Sequence, residues 1–175
     1  MPSEVQYQFC PVCGARYPVG SIEGFAHHCP VCGYTFYENL CFTSSAVIFQ
    51  NNQLLLVKRA KNPAIGKWDF PGGFVEPNEH PVQAVQREIK EELGVESIIG
   101  ELFGLYGPTE YFYEGKRRFN GDVYYLATLN SDNVQPADDV ADFAWFSLEN
   151  LPSNDQIAFP VQLELVEDIK KRFQH

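Results

Sequence analysis

The 175-residue chain is long enough for one ordinary domain plus a small module, and its 45% hydrophobic content suits a globular protein with a sizeable core and no need of disulfides. Its formal net charge of −10 disfavours general binding to nucleic-acid phosphates, which needs a basic surface. A phosphate-bearing substrate is still admissible, because bound metal ions reverse the local field.

No apolar run approaches the length of a membrane span, and the start MPSEVQYQFCPVCG lacks the basic-then-apolar pattern of a secretory signal. A cytoplasmic location is therefore expected, with the five cysteines reduced or metal-bound. Cys10, Cys13, Cys29 and Cys32 stand in two copies of CPVCG. Each copy can fold as a tight knuckle, proline setting the turn and Gly14 or Gly33 accepting φ > 0. Two knuckles supply four thiolates for tetrahedral Zn²⁺; a redox dithiol or plain buried cysteines are the other readings. Four thiolates close the shell, so the site would be structural, and the metal would supply folding energy that so small an apolar content cannot. The segment resembles a zinc ribbon. Cys41, outside the pattern, is expected to be buried as a small apolar residue, and His27 and His28 to lie at the surface.

After a connection over residues 34–42, Thr43–Phe49 and Leu54–Arg59 read as strands of a hairpin around Gln50, Asn51 and Asn52. A loop with Pro63 and Gly66 follows, then WDFPGG at 68–73, where Pro71, Gly72 and Gly73 force a sharp turn. Pro81 suits the first turn of a helix, which puts His80 at a poorly suited N-cap, and Gly94 ends the helix. Ile98–Tyr106, Asp122–Leu129 and Phe143–Phe146 read as strands, 111–118 as a strand end and loop, and 147–152 as a capped turn. A last helix, Pro160–Phe173, has Val161, Leu165, Ile169 and Phe173 as its apolar stripe.

The helix after Pro81 carries Glu88, Glu91 and Glu92 within one arc of roughly 100°. Val82, Val85, Ile89 and Leu93 fall on an adjacent arc that can anchor it to a core. Gathered carboxylates raise one another's pKa unless neutralised, and a hard divalent cation would neutralise them. By themselves the three acids suit a solvated face paired with Lys90 and Arg87 better than a metal site, since charge runs usually face solvent.

The wider pattern separates these readings. Gly73, five residues, Glu79, seven residues, then REIKEELGV at 87–95 matches the Nudix box at every fixed position. Lys58–Arg59, WDFPGG and WFSLENLP at 145–152 are also similar to the family. The resemblance covers roughly 43–175 and implies an α/β/α sandwich with a mixed β-sheet as residues 40–175, behind a zinc ribbon as residues 1–39. It implies a metal-dependent hydrolase that directs water onto a pyrophosphate phosphorus in a nucleoside diphosphate linked to another group. Mg²⁺ or Mn²⁺ would be held by Glu88, Glu91 and Glu92, with a further acid from a later loop. Asp139 is favoured there over Asp138 and Asp142. Arg87 and Glu79 would pair to brace the loop on the helix, and Ala84 would leave room for ions and water. Gly72 and Gly73 would admit metal and phosphates to the backbone, or only make the turn. Arg59 is the leading phosphate contact, ahead of Lys58, Lys116, Arg117 and Arg118. Phe70, Tyr106, Tyr111, Phe112 and Tyr113 are candidates to stack on a base.

A ribbon before a Nudix domain resembles the NADH pyrophosphatase architecture, but the SQPWPFP signature of those enzymes is replaced here by GLYGPTEYFY at 104–113. ADP-ribose, NAD(H)-type dinucleotides and nucleotide sugars are the expected substrate group. A nucleoside triphosphate pyrophosphohydrolase and a nucleotide-sensing module are the alternatives, and the intact box argues against the sensor. No membrane partner and no nucleic acid are expected. The ribbon is a candidate homodimer interface.

Overall fold

The computed structural model describes residues 7–18, 22–113 and 116–173. The chain forms two compact units. One takes the residues up to Leu40 together with Glu110–Phe119, a segment that the sequence reading assigned to the main domain; the other takes Cys41–Thr109 and Asn120–His175.

The first unit carries a three-stranded antiparallel sheet of β1 (Ile22–Glu23), β2 (Ala26–His28) and β3 (Thr35–Tyr37). Both CPVCG segments fold as knuckles with the same bonds. Gly14 N–H donates to Cys10 O and Gly33 N–H to Cys29 O, each at 2.9 Å, while the Cys10 and Cys29 N–H groups bond to Ala15 and Tyr34. Gly14 and Gly33 take φ of 71° and 76°, the left-handed conformation that the turn requires. His27 is buried, not at the surface as expected: its Nε2 lies 2.6 Å from Glu38 Oε1, and the rings of Tyr17 and Phe36 pack around it. A carboxylate partner makes that burial tolerable for an imidazole.

The second unit is built on a seven-stranded mixed sheet. Its strands are β4 (Cys41–Gln50), β5 (Gln53–Arg59), β6 (Trp68–Asp69), β7 (Gly72–Phe74), β8 (Ser97–Tyr113), β9 (Lys116–Leu129) and β10 (Val140–Ser147), of which residues 110–113 of β8 and 116–119 of β9 belong to the first unit. The order is β10-β5-β4-β9-β8, with β6 on β5 and β7 on β4. β4 runs parallel to β9 and antiparallel to β5 and β7. Asn51 and Asn52 both have positive φ, 51° and 60°, the geometry of a tight two-residue hairpin.

Alternation along the central strands sends side chains to two cores. Ala46, Ile48, Leu55 and Val57 join one cluster with Val85, Ile89 and Leu93 of α1 (Pro81–Leu93). Val47, Leu54 and Leu56 join another with Leu165, Val166 and Ile169 of α2 (Val161–Phe173). A strand buried on both faces reads as a continuous apolar run, which is what 46–48 and 54–57 are. The result is the α/β/α sandwich.

Several expectations are corrected. Cys41 is exposed, because β4 begins there, outside the packed part of the sheet. β8 and β9 are longer than the hydrophobic pattern indicated; Gly107 and Pro108 interrupt the pattern, and β8, last in the strand order, tolerates them. On α2 the buried face is Gln162, Leu165, Val166 and Ile169, so Val161 lies at its margin. The start of α1 is capped after all: His80 Nδ1 accepts from Val82 N–H at 3.2 Å, and Gln83 Oε1 accepts from His80 N–H at 3.0 Å. Imidazole nitrogen thus does the work usually given to a Ser or Asp oxygen. His80→Ala is expected to destabilise the protein by about 1 kcal/mol in urea unfolding, and His80→Asp to restore most of that loss.

Candidate active site

The site forms where α1 meets the turn before it. Gly72 N–H donates to Glu92 Oε2 at 2.9 Å. A Cβ on Gly72 would stand 2.4 Å from Ser44 O and 2.5 Å from Ser45 Cα, and one on Gly73 would stand 2.4 Å from Glu88 Oε1. Gly72 also has φ 147°. Both glycines therefore let the backbone lie against β4 and against the Glu88 carboxylate, a space no larger residue leaves. Ser44 Oγ, donating to Pro81 O at 2.7 Å, ties β4 to the first turn of α1.

Arg87 joins loop and helix. Its Nε and Nη2 hold Glu79 at 3.0 and 3.1 Å, its Nη1 reaches Glu88 at 2.7 Å and Glu91 at 3.3 Å, and its Nη2 also bonds to Phe74 O at 3.1 Å. The planar guanidinium makes the bidentate part possible. Glu79 is held below the usual carboxylate range, by Arg87 first and by the Glu76 N–H second.

The other acids are pushed the opposite way. Glu92 is only 5% exposed, and burial lifts its pKa well above the usual value; the Gly72 N–H opposes this, while Asp139, Asp69 and Glu88 add to it. Glu88 is raised chiefly by burial, then by Glu91 and Asp139, against the pull of Arg87. Glu91 is exposed. Of the three loop acids, only the charge of Asp139 is felt at both Glu88 and Glu92. Asp138 pairs with Lys61, and Asp142 accepts from the Phe143 N–H.

Other candidates lie elsewhere. Phe70 cannot stack on a base: it is 2% exposed and packs edge-on against Tyr124 in the α2-side core. Ala84 has no exposed surface, so it packs against protein and does not border solvent. Arg59 is engaged internally, with Nη1 2.6 Å from Asp69 Oδ2 and Nε donating to Pro63 O, and its guanidinium lies over Phe159. Lys58 lies over Trp68. Tyr106 donates to Asp168. The side chains of Tyr111, Phe112, Tyr113, Lys116 and Arg117 lie outside the described residues. Sequence reasoning missed a buried polar chain in which Gln162 Nε2 donates to Asp69 Oδ1 at 2.5 Å and to the Tyr124 hydroxyl at 3.4 Å. Gln162 sits on the buried face of an amphipathic helix, the one available signal.

In the first unit the four cysteine sulfurs all lie within 4.8 Å of one another, the only such gathering of potential ligands among the described residues. Burial raises the Cys10 thiol, but the Cys13 and Val12 N–H groups more than reverse this and bring it down to about 6. At Cys32 the Tyr34 N–H lowers the pKa, yet burial and the neighbouring sulfurs drive it up to about 12. Four adjacent sulfurs therefore cannot all ionise without a cation, and the donor set suits tetrahedral Zn²⁺. The carboxylate set of Glu88, Glu91, Glu92 and Asp139 offers hard oxygen donors of the kind that Mg²⁺ and Mn²⁺ take.

The family model for the NUDIX domain matches residues 42–168. The ADP-ribose pyrophosphatase of Methanocaldococcus jannaschii is 32% identical over 119 residues, covering 68% of this chain and 69% of that protein. The NAD-capped RNA hydrolase NudC of Stutzerimonas stutzeri is 28% identical over 151 residues, which is 85% of this chain but only 51% of that protein, so the chain spans about half its length. A crystal structure of a NUDIX hydrolase from Nitrosomonas europaea superposes with a TM-score of 0.73 at 27% identity, covering 96% of this chain and 91% of that one. The chain belongs to the Nudix family, and its fold and box are those of a Nudix pyrophosphohydrolase, a class that works with divalent metal ions. No helix among the described residues is long and apolar enough to cross a membrane.

The raised pKa of Glu92 gives a testable sign. A carboxyl with a folded-state pKa above its unfolded one stabilises the fold below the usual glutamate pKa of about 4.5, and that stability is lost as pH rises through the folded value. In chelator, Glu92→Gln is therefore expected to melt above the unmodified protein at neutral pH and to converge with it below about pH 4.5. Thermal melts across this range check both ends. Adding Mg²⁺ is expected to raise the melting temperature of the unmodified protein and to narrow the gap.

Proposed function

We propose that the protein hydrolyses the pyrophosphate bond of a nucleoside diphosphate linked to another group, the class that includes ADP-ribose, NAD(H)-type dinucleotides and nucleotide sugars. In this reading Glu88, Glu91 and Glu92, with Asp139, hold Mg²⁺ or Mn²⁺. Bound there, the metal supplies neutralisation of phosphate charge and a lowered pKa for water. The observation that carries the reading is the excess of buried negative charge: Glu88 and Glu92 lie against the glycine backbone, and burial raises both, with Glu91 and Asp139 adding to the rise at Glu88 and Asp139, Asp69 and Glu88 at Glu92.

The chain's own groups divide the remaining work. Arg87 and Glu79 fix the loop on the helix, so that the carboxylates hold their places. The Gly72–Gly73 backbone lies beside Glu92 and Glu88, where a phosphate chain would arrive. As the attacking water's O–P bond forms, its proton passes to a carboxylate of the cluster, and the P–O bond of the anhydride breaks to release a nucleoside monophosphate. Arg59 takes the role of holding the Asp69 edge of the site in place instead of binding phosphate as a free cation.

Residues 1–39 form the zinc ribbon in this proposal, and residues 40–175 the hydrolase domain. Cys10, Cys13, Cys29 and Cys32 bind Zn²⁺ with no position left for water, so the ion is structural. Reduced, metal-ligating cysteines fit a cytoplasmic location. The name of the NudC relative includes a capped RNA; the net charge of −10 makes a small nucleotide derivative the better match here.

Four measurements test this reading. A panel of ADP-ribose, NAD, NADH, sugar nucleotides and triphosphates should show turnover only with Mg²⁺ or Mn²⁺, giving a nucleoside monophosphate. Glu92→Gln should abolish most of that turnover; an unchanged rate would remove the metal assignment. Arg87→Lys, which keeps the charge but loses the bidentate brace, should cost roughly 10- to 100-fold in activity at little change in substrate preference. Elemental analysis of the purified protein should find about one zinc per chain, lost in Cys10→Ser together with the fold of the first unit but not of the second.

A further inference from the structure

A second polar cluster lies on β9, away from the glutamates. Asp122 is 8% exposed, and among the described residues no cation is paired with it. Its carboxyl accepts from two hydroxyls, Thr43 Oγ1 at 2.6 Å and Thr109 Oγ1 at 3.4 Å. Burial raises its pKa, the two threonines lower it, and the charge of Asp69 adds to the rise. Asn120 stands two residues earlier on the same strand and so faces the same way. Its side-chain oxygen is buried and has no hydrogen-bond partner. Buried acceptors are nearly always satisfied, so an orphan beside a partly used carboxylate is a specific anomaly.

Counting donors and acceptors narrows what would satisfy it. A carboxylate has about four acceptor positions, and the threonines occupy two. Thr43 and Thr109 have turned their hydroxyl protons to Asp122, so they present lone pairs outward. The Asn120 oxygen adds another acceptor. The cluster thus offers acceptors and asks for O–H or N–H donors.

The sheet register locates it. Phe74, Thr43 and Asp122 form one lateral row across β7, β4 and β9. Gly73, the neighbour of Phe74, is the residue that Glu88 lies against. Two strand spacings of about 4.8 Å put Asp122 roughly 10 Å from Phe74. That is the scale on which a sugar follows its phosphates.

We propose that Asp122, with Asn120, Thr43 and Thr109, is the subsite that takes the vicinal diol of the substrate's nucleoside ribose. The assignment rests on the nucleoside diphosphate reading above, because that substrate class brings a diol and no ammonium group to the open acceptor positions of Asp122 and the Asn120 oxygen. Two hydroxyls on adjacent carbons address both oxygens of one carboxylate, the chemistry by which acidic residues read ribose elsewhere. A site built to bond a hydroxyl also rejects the analogue that lacks it.

The test compares ribose with 2′-deoxyribose. With the unmodified protein, kcat/KM for ADP-ribose should exceed that for its 2′-deoxyadenosine analogue by roughly ten-fold or more. Asp122→Ala should bring that ratio close to one by weakening the ribose substrate alone. Asp122→Asn, which keeps an acceptor for a threonine, should give an intermediate ratio and guards against loss of folding in the alanine variant. A purely structural role would lower both substrates together and leave the ratio in place, which overturns the proposal, as does an unmodified protein with no ribose preference. Titration of AMP and 2′-deoxy-AMP, followed by NMR in Mg²⁺, gives a readout free of turnover. If neither diphosphate is hydrolysed but AMP binds in preference and Asp122→Ala removes the preference, the pyrophosphatase reading falls and the subsite stands. If turnover is seen and the preference is absent, the reverse holds; equal binding of the two monophosphates, or binding of neither, likewise counts against the subsite.

Discussion

Everything at the site depends on negative charge that the fold holds close and does not neutralise. Glu92 is buried with a backbone N–H as its partner, and Glu88 lies where a Cβ on Gly73 would be. Arg87 carries one positive charge against Glu79, Glu88 and Glu91. Such an arrangement costs stability, since a buried carboxylate without a full charge partner gives up hydration for little return. It persists because the apolar face of α1, through Val85, Ile89 and Leu93, and the bond from Ser44 to Pro81 leave the helix one place to sit. Packing holds the charges together, and the charges define what ligand can relieve them.

Arg87 explains how the cluster can be both held and available. Its bonds to Glu79 and Phe74 O fasten the loop, and its contacts with Glu88 and Glu91 occupy two acids of the proposed metal set. The second set can be surrendered to a cation without loss of the first. A guanidinium suits this division because its donors point in fixed and separate directions. A lysine would have to choose.

What the sequence made legible follows from local rules. The hairpin, both helices and the glycine cap rest on spacing and turn chemistry, the pairing of Glu79 with Arg87 on the resemblance to the Nudix box, and each is present. Buried strands 46–48 and 54–57 were legible for the same reason. What was hidden depends on partners distant along the chain. Phe70 looks like an exposed aromatic next to the box until α2 covers it with Tyr124 beneath. Arg59 looks like a free cation until Asp69, ten residues later, claims it. His27 passes for a surface residue because nothing local marks Glu38 as its partner. Asp122 in a strand pattern reads as an outward-facing polar residue, and only the register of β4 on β9 brings it to Thr43.

The two candidate metal centres follow opposite logics. The four cysteine sulfurs already converge within 4.8 Å, and two glycine-closed knuckles fix them there. An ion bound there would be held as part of the fold. The glutamates are instead kept apart by the bonds each already has: Glu92 to Gly72, Glu88 and Glu91 to Arg87. An ion entering that site would compete with Arg87 for Glu88 and Glu91, although each carboxylate keeps an oxygen outside these bonds. A cation that has to share its shell with water and phosphate needs this looser kind of site. Fixed sulfurs in the first unit and contested carboxylates in the box would each match what an ion bound there has to do.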